Sequence, residues 1–171
     1  MKHEKLVKLT MAAVMTALVF VATYLIQIPM PATGGYVNLG DCMVLLSGFL
    51  LGPWWGFAAG GLGSMLTDLI LGYGTFAPGT FVIKGLMALV AALILKALRN
   101  KTRAASLVGG IAAELIMVFG YFAYEGLFLG FGMGAAGSIP GNALQAVVGL
   151  VAGVLVYQAL YAVPSIKKLS F

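Results

Sequence analysis

The sequence predicts an all-α integral membrane protein, a single domain over residues 1–171 with six transmembrane helices and both termini cytoplasmic. Three observations carry this. First, 61% of the residues are hydrophobic and 9% are charged, against about 25% charged in an ordinary soluble domain. Second, residues 9–26 (LTMAAVMTALVFVATYLI), 42–67 and 126–166 contain no charge, and each stretch is long enough for at least one crossing. Third, the basic residues cluster where six crossings would bring them to one face.

Apolar runs read against helix breakers give spans near 6–28, 39–51, 54–72, 80–98, 104–130 and 140–162. The first follows the leader K-H-E-K-L-V-K and shows no small-residue cleavage site, so it reads as a helix and not as a removed signal. The second is short, since 13 residues rise only about 20 Å against a hydrocarbon core of about 30 Å. It reads as tilted or partly re-entrant. The G-P-W-W-G turn at 52–56 reads as an interfacial hairpin, because Gly-Pro ends a helix and tryptophans favour the headgroup level. Lys2, Lys5 and Lys8 precede span one, Lys96, Arg99, Lys101 and Arg103 lie between spans four and five, and Lys167 and Lys168 follow span six. The positive-inside rule makes that face cytoplasmic. It also accounts for the net charge of +5 without nucleic acid. The loops 29–38, 73–79 and 131–139 are then external, rich in Gly and Pro, and apolar enough to fold back over the bundle as a lid.

Charges inside this apolar chain need a reason, because a carboxylate at the bilayer centre costs about 2.5–3.5 kcal/mol on insertion scales. Asp41, Asp68, Lys84 and Glu125 fall in the outer parts of spans two to five, and Asn142 and Gln145 open span six on the same side. Glu114 lies deeper in span five. At about 100° per residue, Glu114, Tyr121 and Glu125 share one helix face, and Asn142, Gln145 and Gly149 follow a similar line on span six. A polar pocket open to the outside is the simplest account, with Glu114 as its floor and Glu125 as its rim. A through-channel would carry polar groups in both halves of the membrane, and the inner half has them only at its basic rim. Two of these residues have structural alternatives. Asp41, three residues after Asn38 at a helix start, fits a cap as well as ligand contact. Asp68 fits an ion pair with Lys84 as well as a site role.

Enzyme chemistry finds little support. His3 lies in the leader, Ser47, Ser64 and Ser138 have no membrane-embedded histidine to activate them, and Cys42 is the one cysteine. Neither a metal-ligand pair at helical spacing nor a G-x-x-x-x-G-K-[ST] phosphate loop is present in the sequence. A self-sufficient, proton-coupled transporter of a small heterocycle is the alternative, although no inverted repeat is evident. Aromatic faces, carboxylates, amides and one lysine together suit a small, flat, neutral or weakly cationic heterocycle with hydroxyl groups.

Ala13-x-x-x-Ala17 in span one, Y-V-N-L-G-D at 36–41, G-S-M-L-T-D-L-I-L-G-Y at 63–73, A-P-G-T-F-V-I-K-G at 77–85, E-L-I-M-V-F-G-Y-F-A-Y-E at 114–125 and I-P-G-N-A-L-Q at 139–145 span nearly the whole chain. With these motifs the sequence resembles the substrate-binding S components of energy-coupling factor (ECF) vitamin transporters. It looks most like the hydroxymethylpyrimidine or B6-vitamer branch of the riboflavin-type group. The resemblance implies a multi-pass protein of the bacterial cell membrane that captures a vitamin. Such a protein docks on a membrane T component driven by two cytoplasmic ATPases, which use the ATP, and carries no covalent cofactor of its own. The substrate site is expected from Tyr73, Lys84, Glu114, Tyr121, Glu125, Asn142 and Gln145, with Asn38, Asp41 and Asp68 as a cap or ion pair, and the resemblance implies a T-component face at Ala13 and Ala17.

Overall fold

The computed structural model describes residues 2–98 and 102–164 of the chain. Six α-helices follow in order: α1 (Lys2–Leu25), α2 (Asp41–Leu51), α3 (Pro53–Leu71), α4 (Ala77–Ala97), α5 (Thr102–Leu127) and α6 (Ile139–Tyr161). Between α1 and α2 the expected loop forms two short strands, β1 (Gln27–Met30) and β2 (Gly35–Asn38). They pair antiparallel with Gln27 opposite Asn38 and Met30 opposite Gly35. A 3₁₀ segment, Gly132–Ser138, leads into α6. The hairpin and the 3₁₀ segment lie at one end of the bundle, called the hairpin end below.

By length and composition, four segments could cross a membrane: Lys5–Leu25, Ala77–Ala97, Arg103–Leu127 and Gly132–Tyr161. The helix α2 has only 11 residues, and in α3 the apolar residues are diluted by Gly56, Gly60, Gly61, Gly63 and Asp68.

The packing explains the short helix. Most α2 positions are buried, on every side, as expected of a helix that is hydrophobic all round. It sits at the centre, packed mainly on α1, α3, α4 and α6 and lightly on α5, while the others form an open ring in the order α1, α3, α4, α5, α6. Its first residue, Asp41, pairs with Lys84 of α4. Lys84 is seven residues past Ala77, so α2 begins roughly 10 Å below the hairpin end of α4. The β hairpin takes up the space above it.

Gly52 makes the one-residue link from α2 to α3 with φ 82°, a region costly for any residue with a Cβ. Trp54 beside it is 78% exposed, consistent with an interfacial position. Where α3 meets α1 the approach is close: a Cβ on Gly63 would stand 2.6 Å from the Thr16 carbonyl oxygen. Away from the hairpin end the interior is apolar, built from Val44, Leu45, Phe49, Met87, Ala91, Met117 and Tyr157. The described basic residues Lys5, Lys8, Lys96 and Arg103 are exposed at the end opposite the hairpin. Arg99, Lys101, Lys167 and Lys168 lie outside the described residues.

Candidate functional site

At the hairpin end every helix except α2 contributes to a polar cavity. Its wall consists of Thr23 of α1, Met30, Gly35, Tyr36 and Asn38 of the hairpin, Ser64 and Asp68 of α3, Phe76, Thr80 and Lys84 at and in α4, Tyr121 and Glu125 of α5, and Asn142 and Gln145 of α6. The volume open to a water centre is about 20 Å³, room for little more than one water molecule.

A hydrogen-bonded core organises this wall. The ammonium of Lys84 pairs with Asp41 Oδ1, and both side chains are buried. Gln145 Nε2 donates to Asp41 Oδ2 over 2.7 Å, and Gln145 Oε1 accepts from the backbone N–H of Asn38 over 2.7 Å. Asn38 Oδ1 in turn accepts from the N–H of Gly40 over 2.8 Å, fixing the turn that feeds α2. Lys84 Nζ lies 5.5 Å from the Tyr121 ring centroid, within cation–π range. The Tyr121 hydroxyl is 2.9 Å from Thr80 Oγ1. Four helices and the hairpin are thereby linked around one buried ion pair, whose remaining lone pairs must be met for the pair to be tolerated in low dielectric.

Two further contacts tie the cover down. The Tyr36 hydroxyl donates to Asp68 Oδ1 over 2.6 Å, and burial together with the Asp68 charge pushes the Tyr36 phenol well above its ordinary value. Asp68 Oδ2 remains without a partner. Ser138 at the end of the 3₁₀ segment donates to Glu125 Oε2 over 2.5 Å. Asn142 Nδ2 reaches Ser138 Oγ only at 3.5 Å, so the Asn142 amide is weakly committed.

Of the residues expected at the site, Lys84, Tyr121, Glu125, Asn142 and Gln145 converge on the cavity, as do Asn38 and Asp68. Four of these residues sit or pair otherwise than as lining of the cavity. Tyr73 does not line the cavity. It stands in the α3–α4 turn, where its N–H caps Asp68 O and its ring packs 4.7 Å from that of Tyr36. Glu114 does not line it either. Its carboxyl turns toward the α2–α6 contact, where a Cβ on Gly149 would stand 2.8 Å from Glu114 Oε1 and 2.7 Å from Asp41 Cβ. Asp68 hydrogen-bonds Tyr36, and the ion pair of Lys84 is with Asp41. Asp41 does not cap its helix: α2 has no side-chain cap bond, and the Asp41 carboxylate is spent on Lys84 and Gln145.

Sequence reasoning missed Thr23, Tyr36, Ser64, Phe76 and Thr80. A signal was present for two of them. Ser64 with Asp68 and Thr80 with Lys84 are i, i+4 pairs, the same stripe pattern that singled out α5. Ala13 and Ala17 are exposed on the outer face of α1.

A small helical membrane protein that gathers polar and aromatic side chains from five helices around one buried cavity has the form of a substrate-binding membrane subunit. Comparison with known proteins narrows that class. The family model for the ECF-type riboflavin transporter, S component, matches residues 4–162, and the chain belongs to this family of multi-pass transport subunits. An uncharacterized protein of Pyrococcus woesei is 39% identical over 135 residues, 79% of this chain and 88% of that one. The thiamine precursor transporter HmpT of Lactococcus lactis subsp. cremoris is 32% identical over 152 residues, 88% of this chain and 86% of its own length. A solved structure of the S component of a bacterial ECF transporter superposes with a TM-score of 0.73 at 24% identity, covering 92% of this chain and 97% of that one. The last likeness speaks for the fold.

Proposed function

We propose that the chain captures a vitamin precursor, a small heterocycle of the hydroxymethylpyrimidine or pyridoxine kind, and delivers it by docking on a T component energised by separate ATPases. The carrying observation is the cavity wall. A tyrosine face, an ammonium, three amides and two carboxyls surround a space the size of a single ring once it opens. Such groups match ring nitrogens and hydroxyls while rejecting a polyanion, which would meet more acids than bases. The relationship to a thiamine precursor transporter supports the same substrate class.

About 20 Å³ does not hold a heterocycle. Binding is therefore coupled to outward movement of the hairpin, whose ties are the Tyr36–Asp68 bond and the Asn38–Gln145 bond. Six crossings with the basic end cytoplasmic would place the cavity toward the outside. The exposed Ala13 and Ala17 face of α1 suits close helix packing on the T component. ATP hydrolysis belongs to other chains, consistent with a sequence that has no phosphate loop.

A thermal-shift screen of the purified chain against hydroxymethylpyrimidine, pyridoxine, thiamine, riboflavin and pantothenate tests the substrate class. A ligand at 100 times its Kd stabilises by about 2.7 kcal/mol, so a hydroxymethylpyrimidine or pyridoxine response should stand clear of the others. Stabilisation by pantothenate alone would overturn the assignment.

A further inference from the structure

Among the buried hydroxyls of the helices, Ser64 stands apart. Thr23, Ser47, Thr67 and Ser106 each donate to a backbone carbonyl three or four residues back, the usual partner of a hydroxyl inside a helix. Thr80 pairs with the Tyr121 hydroxyl. Ser64 is 1% exposed, and its Oγ has no hydrogen-bond partner. A buried hydroxyl left unmet is costly, and this one belongs to the wall of the polar cavity. One turn further along α3, on the same helix face, Asp68 belongs to that wall too. Its Oδ1 is held by Tyr36, and its Oδ2 has no hydrogen-bond partner. Thr80 stands near the carboxylate with its hydroxyl shared with Tyr121, and a carboxylate has about four acceptor positions to fill. The helix α3 thus brings an uncommitted hydroxyl and spare acceptor capacity to one side of the cavity.

We propose that Ser64 and Asp68 determine the specificity of the cavity by reading an amino group together with the ring nitrogen beside it. The inference rests on the capture function proposed above and chooses within its substrate class. An N–H of the amine donates to Asp68 Oδ2, and the adjoining ring nitrogen accepts from the Ser64 hydroxyl. A carboxylate offers acceptors alone, and the hydroxyl is free to give its proton because no carbonyl claims it. The pair therefore matches a donor next to an acceptor. Residues four apart on a helix stand about 5–6 Å apart at Cβ, close enough for both side chains to meet neighbouring atoms of one ring. Hydroxymethylpyrimidine has that edge, its amine lying next to a ring nitrogen. Pyridoxine lacks it, since carbon atoms bearing no donor flank its ring nitrogen. The 4-oxo analogue of hydroxymethylpyrimidine inverts it and sets an oxygen against the carboxylate.

Calorimetric titration of these three compounds into the full purified chain, Ser64→Ala and Asp68→Asn tests the assignment. The wild type should bind hydroxymethylpyrimidine at least ~10-fold more tightly than pyridoxine or the 4-oxo analogue. Ser64→Ala should weaken hydroxymethylpyrimidine about tenfold and leave pyridoxine unchanged. It should not lower the melting temperature of the empty chain, because the hydroxyl it removes is unmet there, whereas loss of a structural serine would lower it. Asp68→Asn keeps an oxygen for Tyr36 and replaces the other acceptor by donors, so it should shift the preference toward the 4-oxo analogue. Wild-type affinity for hydroxymethylpyrimidine in Ser64→Ala, or equal weakening of pyridoxine, overturns the role of Ser64. An unshifted preference in a folded Asp68→Asn chain overturns that of Asp68. Pyridoxine or the 4-oxo analogue binding the wild type as tightly as hydroxymethylpyrimidine overturns the reading of the edge. A wild type that binds none of the three overturns the capture function itself, and this inference with it.

Discussion

Replacing Lys84 with methionine removes the cation from the buried centre of the cavity wall and keeps most of the side-chain volume. Lys84 is 1% exposed and Asp41 0%, so the orphaned Asp41 carboxylate would keep the Gln145 amide but no cation as a partner. Removing one member of a buried pair typically costs about 3–5 kcal/mol, much of it the penalty of the charge left behind. The double variant Lys84→Met/Asp41→Leu removes that charge, and it should recover most of the loss. A double-mutant cycle in detergent, with reversible unfolding in SDS followed by circular dichroism, measures the coupling. Direct partners should give a coupling energy of at least about 2 kcal/mol, above the few tenths expected of independent sites. Additive single effects, or a Lys84→Met variant within about 1 kcal/mol of wild type, would refute the view that this pair organises the cavity.

Tyr36→Phe takes the tyrosine hydrogen bond away from Asp68 Oδ1 and should destabilise by about 1.5–3 kcal/mol, the value of a hydrogen bond to a charged group. The raised phenol sets the sign of the pH dependence: the wild-type advantage is full below the ordinary tyrosine value of 10.0 and declines as pH rises beyond it. A gap in stability that widens above pH 10 would contradict this. Gly149→Ala puts a methyl within 2.8 Å of both Glu114 Oε1 and Asp41 Cβ, so it should lower the melting temperature by several degrees, where Gly→Ala in an open helix would raise it. Replacing Ala13 and Ala17 together with leucine should abolish co-purification with a T component and leave ligand binding intact. Loss of binding as well would make that face part of the fold.

Much of the fold was legible because lipid restricts the choices: apolar runs, breakers and the placement of Lys and Arg determine helices within a few residues. The hairpin was not legible. Q-I-P-M and G-Y-V-N are too short to show alternation, and their pairing depends on the space above the deeply seated α2. That α2 is central and short follows from packing against four helices, which 13 apolar residues in sequence do not disclose. At the cavity, charged and amide side chains stood out against an apolar background, so Lys84, Glu125 and Gln145 were singled out, and Tyr36, Thr23 and Thr80 were lost among ordinary polar residues. Pairing was the least legible feature. Asp68 had the claim on Lys84 in the sequence, and the fold instead brings Asp41 of the central α2 to it. The direction of Glu114 was likewise invisible, since a shared helix face with Tyr121 does not fix where its carboxyl turns, which is toward Gly149.

The capture of a small heterocycle in the hairpin-end cavity is tested most directly by calorimetric titration of hydroxymethylpyrimidine into the purified wild-type chain and into Asn142→Ala. Asn142 is buried in the cavity wall, yet its one hydrogen bond there is 3.5 Å long, so its loss should spare the fold. The account predicts one saturable site in the wild type, weakened about tenfold in Asn142→Ala by loss of one hydrogen bond of about 1.4 kcal/mol. Wild-type affinity in a folded Asn142→Ala chain, or heat no greater than that of dilution in the wild type, would contradict it.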